Sequence, residues 1–138
     1  MGNSLTGYNI ISTSDQTLYY KDITIKDVKI KTWQRQWQWP WQYGVKENFY
    51  SIHNLENDNE VLDVAEHNYK DKQPVIWWPN KCAINQIWRK HDNHFETGKQ
   101  FQNNNKSICY FLCYDPTTEG FYISSNEKGV YKVLTKEK

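Results

Sequence analysis

A chain of 138 residues is the length of one domain and long enough to bury a core. Only 38% of the residues are apolar while 16% are aromatic, so the core is expected to rest on a few large rings rather than on many aliphatic side chains. A formal net charge of +1, with lysines and acids interspersed, argues against nucleic acid as a partner, and no run reaches the roughly 18 apolar residues of a membrane span.

The opening segment "MGNSLTGYNI" lacks a charged n-region and an apolar h-region, so no signal peptide is expected and a cytoplasmic or non-classically released protein is favoured. "MGNSLT" fits the N-myristoylation pattern; without a polybasic stretch behind it, it is read as a chance match. From there on, short apolar or alternating runs recur every 8–12 residues: "YNIIS", "TLYY", "ITIKDVKIKTW", "WPWQYGV", "FYSIHNL", "EVLDVA", "PVIWW", "NQIWRK", "KQFQN", "SICYFLCY", "GFYIS" and "VYKVL". Polar clusters such as "STSDQ", "ENDNE", "NNNKS" and "DPTTEG" lie between them and read as turns. Twelve short strands at this spacing predict an all-β protein with almost no helix.

The first third holds the densest aromatic run, "TWQRQWQWPWQYG" at residues 32–44. Trp33, Trp37, Trp39, Trp41 and Tyr43 share parity, with glutamines at most of the positions between. Side chains of a strand alternate faces, so the run predicts one aromatic and one polar face. Pro40 forbids one long central strand. The expectation is a strand ending near Trp33, a turn at Gln34–Gln36, and a second strand at Trp37–Val45.

The twelve runs fall into three sets of four with a period of about 45 residues: 7–48, 49–93 and 94–138. Three fourfold β units in a single domain of residues 1–138 predict a β-trefoil, a short barrel capped by hairpins with a pseudo-threefold axis; a small β-sandwich is the alternative.

The middle third carries the chemistry. Residues 61–88 contain Leu62-Asp63-Val64, an aromatic pair Trp77-Trp78, then Pro79-Asn80-Lys81, and a closing Asn85-Gln86-Ile87-Trp88. A sugar presents vicinal hydroxyls and one apolar C–H face. An ionised carboxylate accepts from two hydroxyls at once, an aromatic ring covers the C–H face, and a side-chain amide both donates and accepts. Asp63, Trp78 and Asn85 supply those three groups. Trp77 and Trp78 must face opposite ways in a strand, and the expectation is Trp77 inward and Trp78 outward.

This stretch resembles the ricin-B-type β-trefoil lectins, with their Asp-bearing strand, an aromatic some 15 residues later and the closing Asn-Gln-x-Trp. The likeness is close over the middle third alone. It implies a galactose or N-acetylgalactosamine type of glycan as ligand. Asp63 would anchor the hydroxyls, Trp78 would be the platform, Asn85 would complete the bonding and Lys81 would stand at the rim. Gln86 would support Asp63 or the sugar, and Trp88 would fill the core below. Ile76 stands where such sites often carry a polar residue, and the disulfide common within a repeat of the family has no pair here, since Cys82 lacks its partner. The outer thirds lack the pattern. Leu18 and Tyr19 occupy the Asp position in the first, with Pro40, Trp41, Gln42 and Tyr43 at the closing motif. In the third, Ile108 or Cys109 stands at the Asp position and "VYKVL" replaces the motif. One sugar site is therefore expected, on a single copy or on one made multivalent by oligomerisation. Asp63→Ala is expected to abolish sugar binding with thermal stability nearly unchanged. The competing reading is a protein-binding trefoil, a protease inhibitor or toxin accessory subunit, that uses its loops or the Trp33–Tyr43 aromatic patch. Trp33, which aligns with Trp78, is the member expected to be exposed.

Three cysteines, Cys82, Cys109 and Cys113, cannot all pair, and reduced thiols are expected, with Cys109 and Cys113 as small core residues. Asn105-Lys106-Ser107 is a formal glycosylation sequon. "HDNH" at residues 91–94 offers a conceivable metal clip but sits at a junction where polar turn residues belong anyway. No nucleophile, paired carboxylate or phosphate-binding loop stands out, so neither an enzyme nor a cofactor is expected.

Overall fold

The computed structural model describes residues 8–36 and 46–134. It is all-β. The strands are β1 (Tyr8–Tyr20), β2 (Ile23–Gln36), β3 (Lys46–Asn54), β4 (Asn57–Val64), β5 (Pro74–Pro79), β6 (Trp88–His91), β7 (His94–Thr97), β8 (Phe101–Asn103), β9 (Lys106–Ile108), β10 (Phe111–Asp115), β11 (Gly120–Ser124) and β12 (Tyr131–Leu134). The only helical turns among the described residues are single 3-10 turns at Ala65–His67 and Ile84–Gln86.

Nine strands close an antiparallel barrel in the order β7, β10, β11, β5, β4, β3, β2, β1, β12, with β12 returning to β7. Closure removes the unpaired edges that an open sheet would present. β6 pairs with β7 on one side and meets β3 at Tyr50↔Trp88 on the other. The pairings therefore also trace a smaller circuit of six strands: β1, β2, β3, β6, β7 and β12. The β8–β9 hairpin forms a separate two-stranded sheet.

The three thirds are not built alike. The middle third has the four expected strands, β3 to β6. The described part of the first third has two long ones, and the last third has six short ones. Two expected turns do not exist. "STSDQ" continues β1, because β2 runs beside it from Tyr8↔Arg35 to Tyr20↔Ile23 and satisfies its backbone groups; the register slips twice, between Ile10 and Ser12 and between Leu18 and Tyr19. Gln34–Gln36 likewise continues β2, pairing with Asn48, Glu47 and Lys46 of β3. The real turn of that hairpin is at Lys21–Asp22, with Lys21 in the left-handed region at φ 55°. The predicted strand at Trp37–Val45, with its tryptophans, lies outside the described residues.

Among the described residues the core also differs from the expectation. Its buried cluster is aliphatic: Leu18, Val28, Ile30, Ile52, Leu62, Val64, Val75, Leu112, Ile123 and Val130, with only two rings, Trp88 and Phe95. The other rings, among them Tyr50, Tyr69, Trp77, Tyr110, Tyr114 and Phe121, are partly buried and pack around this cluster. Alternation explains the division, since each strand sends every second side chain inward and the narrow barrel interior suits branched aliphatics. Larger rings fit better where the wall meets water, in edge-on pairs such as Trp77–Phe121 and Tyr114–Phe121.

Candidate functional site

β4 and β5 are adjacent antiparallel strands whose register sets Val61 opposite Trp78, Leu62 opposite Trp77 and Asp63 opposite Ile76. Opposed residues share a face. Leu62 and Trp77 therefore face the core, where Trp77 meets Phe121 edge-on. Asp63, Ile76 and Trp78 lie on the other face. Trp78 is 48% exposed, so the expected inward Trp77 and outward Trp78 is the arrangement seen.

A cleft of about 410 Å³ opens on that face. Asp63, Asn85 and Gln86 contribute buried side chains to it, while Ile76, Trp78 and Lys81 are exposed around it. All five residues expected to form the sugar site thus line one cleft, although Asp63 and Asn85 are 22 positions apart. The Asp63 carboxylate lies at its floor. Asn85 Nδ2 donates to Asp63 Oδ1 at 2.9 Å and to the Val64 carbonyl at 3.1 Å. Gln86 Nε2 donates to Asp63 Oδ2 at 3.0 Å and to the Pro79 carbonyl at 2.9 Å. Gln86 Oε1 accepts from the backbone N–H groups of Lys81 and Ala83 at 2.9 and 3.3 Å. Gln86 is therefore the clamp that ties the 79–86 loop to the carboxylate. Trp88 is fully buried beneath, its indole N–H directed at the Leu62 carbonyl at 3.4 Å.

An ionised carboxylate has about four acceptor positions. Two are used, so two remain for a ligand's hydroxyls. Burial pushes the Asp63 carboxyl above its ordinary value, while the bonds from Gln86 and Asn85 and the charges of His67 and Lys81 pull it back. Asn85 Oδ1 is buried with no donor. A stranded acceptor costs about 1–3 kcal/mol, and such costs concentrate at functional sites. The cleft wall is strained as well. Glu66 and His67 follow β4 with φ of 58° and 54°, in a region that side-chain-bearing residues rarely enter. Gln73 Nε2 holds this turn by donating to the Ala65 carbonyl at 2.8 Å. Glu66 and His67 line the cleft and were not expected there; turn composition alone gives no sign of which way the chain folds back. The two amide bonds also bear on stability: removing the carboxylate strands donors, so the expectation that Asp63→Ala leaves stability unaltered does not hold on this geometry.

Two other expectations change. Trp33 is half-buried rather than exposed, and its indole N–H donates to Ser51 Oγ at 2.8 Å. Cys109 is exposed and is not a core residue, whereas Cys113 is buried; the run "SICYFLCY" breaks between β9 and β10, so the shared parity that grouped the two is lost. All three cysteines are free thiols. His91 and His94 flank a tight turn in which Asp92 and Asn93 both have positive φ. His94 Nδ1 bonds the Asp92 carbonyl at 3.0 Å, and both rings pack near Phe111.

A buried chain of polar groups in the first half was not anticipated. His53 Nδ1 faces only acceptors, the Asp58 carbonyl at 2.8 Å and Asp58 Oδ1 at 3.7 Å, so it carries the proton. Nε2 then accepts from Ser51 Oγ at 2.7 Å, and Ser51 accepts from Trp33. The i, i+2 spacing of Ser51 and His53 on β3 was the signal available. Both side chains are sealed from solvent, so the arrangement fixes Trp33 and the β3–β4 turn rather than presenting a nucleophile.

Comparison of the chain with protein-family profiles, with curated proteins and with solved structures finds no match in any of the three.

Proposed function

We propose that the chain is a carbohydrate-binding protein with one sugar site in the β4–β5 cleft, of the kind its middle third resembles. The observation that carries this reading is the Asp63 carboxylate, set at a cleft floor by two side-chain amides, beside an outward tryptophan. A vicinal diol takes the two free acceptor positions of Asp63, and the ring of Trp78 covers the apolar face of a galactose-type sugar. Asn85 is in place to add a further bond, and Lys81 stands at the rim. A cleft of about 410 Å³ suits one small ligand. We further read the fold as a β-trefoil. The six-strand circuit and the four-strand plan of residues 46–91 support it, while the lack of the Asp-bearing strand and closing motif in the outer thirds favours one site over three.

The test is a glycan array followed by titration with galactose and N-acetylgalactosamine. Millimolar affinity, about 4 kcal/mol, is expected for a single shallow site. Trp78→Ala is the cleaner variant, because an exposed ring outside the core contributes little to folding. It should lose binding while its unfolding midpoint stays put. Affinity should also fall in acid at a pH above the ordinary carboxyl range, since protonated Asp63 loses acceptor capacity. A wild-type protein that binds no glycan, or a Trp78→Ala protein that binds glycans normally, would overturn the reading.

A further inference from the structure

Two lysines converge on one ring, and no ion pair among the described residues engages either of them. Lys90 lies two residues beyond the buried Trp88 on β6 and opposite the buried Phe95 of β7, so its side chain starts from an inward-facing position. Lys132 of β12 lies opposite the buried Leu18 of β1 and starts inward too. Between them stands Tyr50 of β3, which pairs with Trp88 and packs its ring edge-on against Phe95. The Lys90 and Lys132 ammonium nitrogens lie 5.8 and 5.9 Å from the centroid of that one ring. The acid–lysine ion pairs among the described residues engage Lys29, Lys31 and Lys72, never these two. The nearest acid of the adjoining turn, Asp92, is highly exposed and pairs with His91. Burial first, and the neighbouring Lys90 charge next, push the Lys132 ammonium down to about 8.

Nothing in the fold forces two like charges together here. A glutamine at either position would keep the alkyl packing without the repulsion. We propose that the mouth of the six-strand circuit, between Lys90 and Lys132, binds an oxyanion, a sulfate or phosphate group. Two ammonium groups held over one ring match a tetrahedral anion, which takes charge-assisted hydrogen bonds from both and cancels their repulsion. The Tyr50 ring supplies an apolar wall that keeps the lysine stems in place. This site is separate from the Asp63 cleft and does not depend on the sugar reading.

The test is calorimetric titration of the full chain with sodium sulfate and with sodium phosphate, at neutral pH and constant ionic strength set with chloride. Saturable binding of both, in mutual competition, is expected. Lys132→Gln should weaken it at least about tenfold, the equivalent of roughly 1.4 kcal/mol, and Lys90→Gln comparably. Both variants should unfold at or above the wild-type midpoint in the absence of either anion, because they remove a repulsion. A third arm uses galactose sulfate. Binding tighter than inorganic sulfate assigns the group to a glycan, and weaker binding assigns it to a free anion. Absence of saturable binding, or equal binding by folded Lys132→Gln and Lys90→Gln proteins, would overturn the proposal.

Discussion

Replacing Asp63 by alanine perturbs the floor of the cleft in a way that can be computed from its hydrogen bonds. Asn85 Nδ2 would keep the Val64 carbonyl and lose Asp63 Oδ1, and Gln86 Nε2 would keep the Pro79 carbonyl and lose Asp63 Oδ2. Two buried N–H groups are stranded, at about 1–3 kcal/mol each. Against this, the carboxylate no longer bears its own burial, which the raised Asp63 pKa shows to be unfavourable to the charged form. A net loss of about 2–4 kcal/mol is expected, enough to lower the melting temperature by roughly 10 °C in a domain of this size. Gln86→Ala removes the same Gln86–Asp63 bond from the other side and also frees the backbone of Lys81 and Ala83. The two single changes therefore share one interaction. The double variant should lose less than the sum of the singles by about 1.5–3 kcal/mol, the worth of a hydrogen bond to a charged group. Urea unfolding of the four proteins at neutral pH measures this. Additivity to within about 0.5 kcal/mol would refute the clamp and leave Asp63 as an independent surface carboxylate.

Acid should weaken the fold through His53. Its folded pKa lies below the ordinary 6.5 because burial disfavours the cation, so the stability it contributes is fully present above 6.5 and is lost as pH falls through the folded value; a urea midpoint that does not drop between about pH 7.5 and about pH 5 would contradict the neutral Ser51–His53 pair. Gly129 admits no side chain, since a Cβ there would run into the Leu112 carbonyl to which Val130 N–H is bonded, so Gly129→Ala should cost at least about 1–3 kcal/mol in chemical denaturation. Thiol titration should find three reactive groups in denaturant, whereas in the native protein Cys113, buried with its pKa pushed up to about 12, should stay silent.

The sequence by itself determined the class of the fold and five members of the cleft. Period-two alternation and turn chemistry are local, so the all-β class and the turns at Asn104–Asn105 and 116–119 could be read from neighbouring residues alone, whereas β7 was not among the expected runs and "SICYFLCY" became two strands. Asp63, Trp78 and Asn85 were legible as groups of complementary chemistry, Lys81 and Gln86 only through the resemblance of the middle third, and the alternation of Trp77 and Trp78 follows from the strand itself. Tertiary structure decided what depends on partners distant in the chain. "STSDQ" and Gln34–Gln36 have turn composition, yet each becomes strand because a neighbouring strand satisfies its backbone groups. Trp33 and Trp78 look alike in sequence. One is held by Ser51 and the other is left facing outward, because β2 pairs with β3 while β5 lies beside β4. Among the described residues, the aliphatic core with the aromatic rings at its margin and the placement of Lys90 and Lys132 beside Tyr50 follow from barrel closure. Closure sets which inward positions reach the centre and which reach only the mouth, a distinction of depth that an alternating pattern, carrying only the two faces of a strand, does not contain.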